Sequence, residues 1–522
     1  MSDPIEQLRA DYDATPYTSN SFPQSAPGQL AAVAHLFGLK PPKVSTARVL
    51  EIGCAAGGNL IPFAAAHPEA RVVGIDLSPV QIDDGRARVQ ALGIDNVELL
   101  AGDIARMDLA ALGLFDFVIA HGVYSWVPAE VQDALLSAFR RCLAPDGIGY
   151  CSYNVYPGWK SKEILRDAML LASGASTSPD DKARDARGML DFLEEVAPAD
   201  GVLARVVAES KAFSEGFGDS YLLHDELETF NTPCYFYEMV TRAGAHGLAY
   251  LAEARPETMV PSNFGPRVAE YVTEKSGGVQ VLVDQYLDFV TNRMFRESLL
   301  VHADRTPMIH YKPDRKRFED LHFAAWVPPA DEQTRLDNSR QEYRESDGAT
   351  LFTNDPGIKA ALDELSAAWP WTLSRQELID AVSTRLTSAG VTPSANVDDH
   401  VDNLLATLVL QGEARFRLEP VLPESTANPL RLDETARRMA ELTSDDDVAS
   451  TFNPWHETVI LTTADRHLLP LLDGTRDRDA LVAALVARFE DDAIAFEHDA
   501  LAAEVDDAPR RLVEMKLLRI RE

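Results

Sequence analysis

Basic residues are scarce in this sequence: 49 Lys and Arg stand against 82 Asp and Glu over 522 residues, a formal net charge of −33. Such a field repels phosphate backbones and anionic membrane surfaces, so nucleic acid is disfavoured as a substrate unless the fold gathers a local basic patch. Cysteine is scarce too. Cys54, Cys142, Cys151 and Cys234 lie far apart, without the paired spacing of a zinc site or the density of a disulfide framework, so no metal site is expected and a reducing cytoplasm suits the chain. Long apolar runs are lacking: no stretch reaches the about 18 apolar residues of a membrane span, and the opening MSDPIEQLRADYDATPY has no signal-peptide core. Neither export nor membrane insertion is therefore expected. What is present, 46% hydrophobic and 25% charged residues, is the composition of a folded soluble protein, and the length calls for three or four domains.

The stretch Gln29–Leu39 has apolar residues at helical spacing and is stopped by Pro41-Pro42. From Arg48, β-like runs (RVLEIG, RVVGID, VELLAGD, FDFVIAHG, GIGYCSYNVY) alternate with helical stretches. That alternation means βαβ units and an α/β fold, a Rossmann-like parallel sheet with helices on both faces. SGASTSPDD, Ser173 to Asp181, is rich in turn formers and marks a boundary. The expected division is a catalytic domain at 1–172, a mainly helical middle domain at 182–325, and two C-terminal units at 350–420 and 421–522. The polar stretch VPPADEQTRLDNSRQEYRESDGAT, from Val327, reads as a linker or long loop.

The two C-terminal units look alike in outline: helix, turn, helix, a third helix and a closing apolar β-like run, as in a winged helix. Asp398, Asp399 and Asp402 in one copy, and Glu504, Asp506 and Asp507 in the other, stand where a nucleic-acid reader needs basic residues. A protein-contact or scaffolding role is expected of both.

Val49 to Asn59, VLEIGCAAGGN, is an apolar strand entering a glycine-rich turn before a helix that begins near Leu60. Gly53, Cys54, Ala55 and Gly57 let the backbone close on a ligand. Glu51 is placed to meet an amino group. Asp76 ends the next strand, where a carboxylate accepts ribose hydroxyls, as it would for a dinucleotide or for S-adenosylmethionine (SAM). Gly102-Asp103-Ile104 closes the third strand with an acid for an adenine amino group and an apolar cover for the ring. Ala55 stands where a dinucleotide fingerprint needs glycine, which favours SAM over NAD.

These residues resemble motifs one to four of class I SAM-dependent methyltransferases, with their seven-stranded sheet. PYTSNSFPQSAP (Pro16 to Pro27), YLLHDELETFNTPCYFYEM (Tyr221 to Met239) and MFRESLLVH resemble, more narrowly, bacterial methyltransferases that carry a methyltransferase regulatory domain. That family includes the rickettsial outer-membrane-protein lysine methyltransferases. The resemblance implies roles for Tyr17 near the methionine end, Gly53, Gly57 and Asn59 at the turn, Asp76, Leu77 and Gln81 around the ribose, Asp103 and Ile104 at adenine, and His121 beneath the sulfonium.

Methyl transfer from a sulfonium is an in-line displacement that needs alignment more than acid-base chemistry. An acceptor lysine must lose its proton, which a desolvated aromatic pocket favours. AHGVYSWV and YNVYPGW supply Tyr124, Trp126, Tyr153, Asn154, Tyr156 and Trp159 near the carboxyl ends of the fourth and fifth strands, and these form the expected acceptor pocket. The sequence lacks the NPPY or DPPY pattern of base- and glutamine-methylating enzymes. His224-Asp225-Glu226 reads as an interface feature rather than a catalytic or metal set. The expected function is SAM-dependent methylation of protein lysines, with a homodimer compatible with it. A small-molecule methyltransferase with a helical lid, and a SAM-sensing protein-binding scaffold, are the alternatives.

Overall fold

Five strands follow from the apolar runs after Arg48: β1 (Arg48–Ile52), β2 (Arg71–Asp76), β3 (Val97–Ala101), β4 (Phe115–Ala120) and β5 (Leu143–Asn154). Between them lie α3 (Ile61–Ala66), α4 (Pro79–Leu92) and α5 (Ala129–Cys142), while α1 (Pro4–Ala14) and α2 (Pro27–Leu36) precede the sheet. The computed structural model describes residues 4–519 except 15, 18, 177, 215–221, 223–226, 332, 345–347, 349, 423–424 and 428. The run His224-Asp225-Glu226 lies outside the described residues. Local chemistry sets the boundaries of α4: the Ser78 hydroxyl accepts from the Gln81 N–H, Pro79 opens the helix, and Gly93 closes it in the left-handed region at φ 69°.

The sheet has seven strands in the order β3-β2-β1-β4-β5-β7-β6. The first five are mutually parallel, and β7 (Phe295–His302) runs antiparallel to both β5 and β6 (Leu248–Glu253). Strand order reverses beside β1, which opens a crevice beyond the carboxyl ends of β1 and β4. The sheet thus extends past the boundary expected at 172, since its last two strands come from the segment read as a mainly helical middle domain. LAYLAE and FRESLLVH are short apolar runs embedded among helices, and period alone does not separate such runs from buried helix.

The remaining middle segment is helical: α6 (Trp159–Ser173), α7 (Pro179–Val196) and α8 (Val202–Ser214) share a small core around Leu165, Met169, Ala186 and Val207, and α9 (Phe236–Ala245), α10 (Pro266–Ser276) and α11 (Gln280–Thr291) flank the outer strands. The polar stretch after Trp326 is not a plain linker. It forms a hairpin of β9 (Gln341–Arg344) and β10 (Thr350–Thr353). The buried Lys359 ammonium pins its loop by donating to the carbonyls of Arg335, Asp337 and Ser339 at 2.7–2.9 Å.

The first C-terminal unit starts earlier than expected. Its sheet, β11-β8-β12, takes β8 (His322–Ala325) from before the hairpin and joins it to β11 (Leu373–Ser374) and β12 (Ala414–Arg417). The helices are α12 (Pro356–Ala368), α13 (Arg375–Ser388) and α14 (Val397–Gln411). In the second unit, β13 (Thr426–Ala427) and β14 (Leu430–Arg431) precede α15 (Glu434–Leu442), a hairpin of β15 (Ser450–Phe452) and β16 (Thr458–Ile460), then α16 (Thr463–Leu468), α17 (Arg478–Asp491) and α18 (His498–Glu514). Its closing run from Met515 to Arg519 is turn and bend rather than strand. Both units repeat one ion pair: the first residue of the middle helix, Arg375 or Arg478, grips an acid of the third, Asp402 or Asp506, at 2.6 Å. Those third-helix acids are therefore partnered within their own units. Among the described residues no helix is long and apolar enough to cross a membrane.

Candidate active site

The crevice at the strand ends is a cavity of about 680 Å³. Its floor is the turn after β1, where Gly53 and Gly57 take φ +77° and +78° and Ala55 takes φ +48°. A Cβ on Gly53 would stand 2.3 Å from Val123 Cγ2, so both conformation and space require glycine there. The Ala55 N–H donates to Asp76 Oδ2 at 2.8 Å and the Ser78 N–H to Oδ1 at 2.9 Å. These bonds aim the Asp76 carboxylate across the turn with lone pairs left for a ligand.

Glu51 is buried at the turn, and Asn59 Nδ2 donates to its Oε1 at 2.8 Å. Its other oxygen, Oε2, is buried without a hydrogen-bond partner among the described residues. Burial pushes this carboxyl up to about 8, against the downward pull of the Asn59 bond. A cationic amino group beside it would reverse that shift and satisfy the orphaned oxygen. Gln81 Oε1 is likewise buried without a partner among the described residues. At the end of β3, Asp103 accepts from the Ala105 N–H at 2.9 Å and pairs with Arg106 at 3.2 Å.

Of the cofactor residues expected from sequence, Tyr17, Glu51, Gly53, Cys54, Ala55, Asn59, Asp76, Leu77, Gln81, Gly102, Asp103, Ile104 and His121 all line this cavity. Gly57 does not. It shapes the turn from behind, where its carbonyl accepts the N–H groups of Leu60 and Ile61 at 2.9 Å and starts α3. His121 stacks on Phe22 with ring centroids 3.9 Å apart, and its Nδ1 lies 2.9 Å from the Tyr150 hydroxyl. Burial, with the Arg255 charge adding, holds this imidazole at about 3, so it is neutral at physiological pH.

The expected acceptor residues divide. Trp126, Asn154 and Trp159 line the cavity, the two indoles meeting edge to face at 6.0 Å. Tyr153, Tyr156 and Tyr124 are not brought to it. Successive strand residues point to opposite faces, so with Asn154 on the cavity side Tyr153 must point away. Its hydroxyl is 2.8 Å from Ser298 Oγ, and its ring packs against that of Tyr124. Tyr124 is fully buried, and burial raises its hydroxyl to about 12. Tyr156 donates to Glu163 at 2.6 Å and packs on Tyr235, outside the cavity wall.

Much of the rest of the wall comes from residues to which motif reading assigns no role in the site, although several lie in the stretches PYTSNSFPQSAP and MFRESLLVH. Ile5, Leu8 and Tyr12 of α1 cover one side, Ser19, Asn20 and Phe22 follow, and Arg255, Met294 and Phe295 arrive from β6 and β7. The four apolar residues Ile5, Leu8, Val127 and Val131 pack as one small cluster that docks α1. Its i, i+3 spacing was present in the sequence as a short amphipathic signal.

A 3-2-1-4-5-7-6 sheet with an antiparallel seventh strand, an acid at the end of β2 and a glycine turn facing an orphaned carboxylate define a class I SAM-dependent methyltransferase. Similarity to known proteins narrows this. A methyltransferase domain model matches residues 49–147, a "Predicted methyltransferase regulatory domain" residues 218–302, and a "PKMT, C-terminal winged helix domain" residues 435–517. The uncharacterized protein RP789 of Rickettsia prowazekii is 32% identical over 489 residues, 92% of this chain and 86% of that protein. The structure of PKMT2 from Rickettsia typhi in complex with AdoHcy superposes with a TM-score of 0.83 at 26% identity, over 96% of this chain and 100% of that one. The chain belongs to this family of SAM-dependent methyltransferases with a regulatory domain and a C-terminal winged helix. The regulatory-domain match spans β6 and β7, so that segment builds both the sheet and the cavity wall.

Proposed function

We propose that the protein methylates lysine side chains of a polypeptide. The observation that carries this reading is one cavity that joins the glycine turn after β1 to an aromatic wall of Trp126, Trp159 and Phe295, in a chain whose C-terminal unit matches the PKMT winged-helix model. When bound, SAM supplies an electrophilic methyl on a sulfonium that leaves as a neutral thioether. Glu51, Asp76 and Asp103 would hold its amino, ribose and adenine groups. Neutral His121 adds no positive charge beside the sulfonium. Trp126 and Trp159 exclude water from an incoming amine, and desolvation penalises its ammonium form and favours the free base. Asn154 donates its Nδ2 to Asn231 at 3.0 Å, which leaves its carbonyl oxygen as the acceptor that orients the amine. The acidic surface favours lysine-rich partners over nucleic acid, and four free, buried thiols suit a reducing compartment such as the cytoplasm.

A small-molecule acceptor is the second reading, favoured by the apolar cover that α1 lays over the cavity. Incubation with methyl-labelled SAM and a host lysate, followed by separation and peptide mapping, decides between them. Label on lysine residues is expected. Label confined to small metabolites would replace this reading with the second, and cofactor binding without any transfer would reduce the protein to a SAM sensor.

A further inference from the structure

The hairpin between β15 and β16 does more than close the second C-terminal unit. In its tip, Asn453-Pro454-Trp455-His456-Glu457, the side chains of Asn453, Trp455 and His456 are buried, and the tip touches three parts of the chain. Trp455 is fully buried and donates its indole N–H to the Pro370 carbonyl of the first unit at 2.8 Å. Glu457 pairs with Arg415 at 2.6 Å and with Lys516 at 2.7 Å. The third contact is with the catalytic domain: His456 Nε2 lies 2.9 Å from Asn59 Oδ1, some 400 residues away in sequence.

Asn59 sits in the cofactor turn, and its amide is oriented by its neighbours. Oδ1 accepts from the Phe22 N–H at 2.9 Å, and Nδ2 donates to Glu51 Oε1 at 2.8 Å. With an amide oxygen opposite it, His456 Nε2 must donate. The imidazole is buried in the neutral state, which permits a single donor and makes Nε2–H the tautomer the site requires. His456 holds φ +63°, a backbone conformation that a non-glycine residue keeps only where its surroundings impose it. Next to it, Thr458 Oγ1 accepts from the Ser21 N–H at 2.9 Å, so the same hairpin holds the segment that carries Phe22 against His121.

We propose that His456 is a positioning residue of the cofactor pocket: its Nε2–H joins Phe22 and Ser25 in holding the Asn59 amide, which holds Glu51 with one oxygen free for the amino group of SAM. The C-terminal winged helix is then thermodynamically coupled to the cofactor site. A partner that shifts this hairpin changes SAM affinity, and SAM changes the affinity for that partner by the same factor. The inference rests on Glu51 receiving the amino group, and its test separates the two ideas.

The test is titration calorimetry of the full-length protein with SAM and with S-adenosylhomocysteine. His456→Asn suits the left-handed backbone but is too short to reach Asn59, whereas His456→Gln places an N–H donor near the Nε2 position. His456→Asn is expected to weaken both ligands about three- to tenfold, the effect of one lost hydrogen bond, and to raise KM for SAM by a similar factor while kcat falls less. His456→Gln is expected to recover most of the affinity. Equal affinities for the two variants would overturn the proposal, because the donor would then not matter. Glu51→Gln is the control: if it weakens SAM and His456→Asn does not, the coupling fails while the Glu51 assignment stands. Nitrogen NMR of the wild-type histidines gives a reading free of variants. An Nε2–H tautomer for His456 whose shift moves on addition of S-adenosylhomocysteine is expected, and an Nδ1–H tautomer would overturn the proposal.

Discussion

The two ends of the cavity are built in different ways. The cofactor end comes from consecutive strand ends: the β1 turn, Asp76 after β2, Gly102 to Ile104 after β3 and His121 after β4. Each residue sits where its own strand stops, and hydrogen bonds such as Ala55 to Asp76 tie neighbouring strand ends together. The acceptor end is gathered from α1, the loop after β4, the start of α6 and the β6 and β7 region, which are separated by as many as about 290 positions. Polar groups with fixed partners make the first end, and apolar and aromatic surfaces make most of the second. The first end is built mostly from local turns, braced from far along the chain by the His456 hairpin, while the second is assembled from distant pieces.

Substitutions at the two ends should therefore separate in what they disturb. The largest effect is expected from Asp76→Ala, which removes the carboxylate proposed to hold the ribose and its grip on the turn. Loss of charge-assisted hydrogen bonds should weaken SAM about 10- to 100-fold by calorimetry, and unchanged affinity would remove Asp76 from the cofactor end. Next is Trp159→Leu at the other end. It should lower kcat/KM for the acceptor about three- to tenfold while SAM affinity stays within about twofold. A comparable loss of SAM affinity would mean that the ends are not separable.

The pH response of Glu51 sharpens the comparison at the cofactor end. Its folded value of about 8 lies above that of a free carboxyl, so the unliganded protein loses stability as pH rises from the ordinary carboxylate range towards 8. Beside the cationic amine of SAM, the partner proposed for it, the group should ionise. Binding at pH 7 should thus release a proton, somewhat less than one per ligand, seen as a dependence of the binding heat on buffer ionisation enthalpy and lost in Glu51→Gln. Buffer-independent heat would show that Glu51 is already ionised in the free protein. The smallest effect is expected from Tyr153→Phe. It loses only the contact with Ser298, so turnover should stay within about twofold and stability should fall by about 1 kcal/mol. A large fall in turnover would return Tyr153 to the acceptor end.

Legibility followed the same division. The glycine turn and the strand-ending acids are legible as local features, while Tyr17, Asn59, Leu77, Gln81 and His121 owe their cofactor roles to the family resemblance alone; thirteen of the fourteen expected cofactor residues line the cavity. Of the six acceptor residues only Trp126, Asn154 and Trp159 do. Tyr153 looked equal to Asn154 in a run of aromatic and polar residues, and which face each takes depends on the strand's phase against its neighbours. Sequence reading gives Arg255 and Phe295 no role in the site, although Phe295 lies in the MFRESLLVH stretch, since β6 and β7 are hidden in a stretch whose dominant period is helical.

By itself the sequence determined what nearest neighbours along the chain decide: the order of strands and helices from Arg48, the turn at Gly53 to Gly57, the acids at 76 and 103, and the likeness of the two C-terminal units. Only the tertiary structure decided what depends on distant segments meeting: the sheet completed by β6 and β7, the cover supplied by α1, and His456 brought against Asn59. The physical reason is range. Backbone sterics and capping bonds act within a few residues and leave their mark in sequence, whereas burial and cross-chain hydrogen bonds reward any segment that fits, however far along the chain it lies.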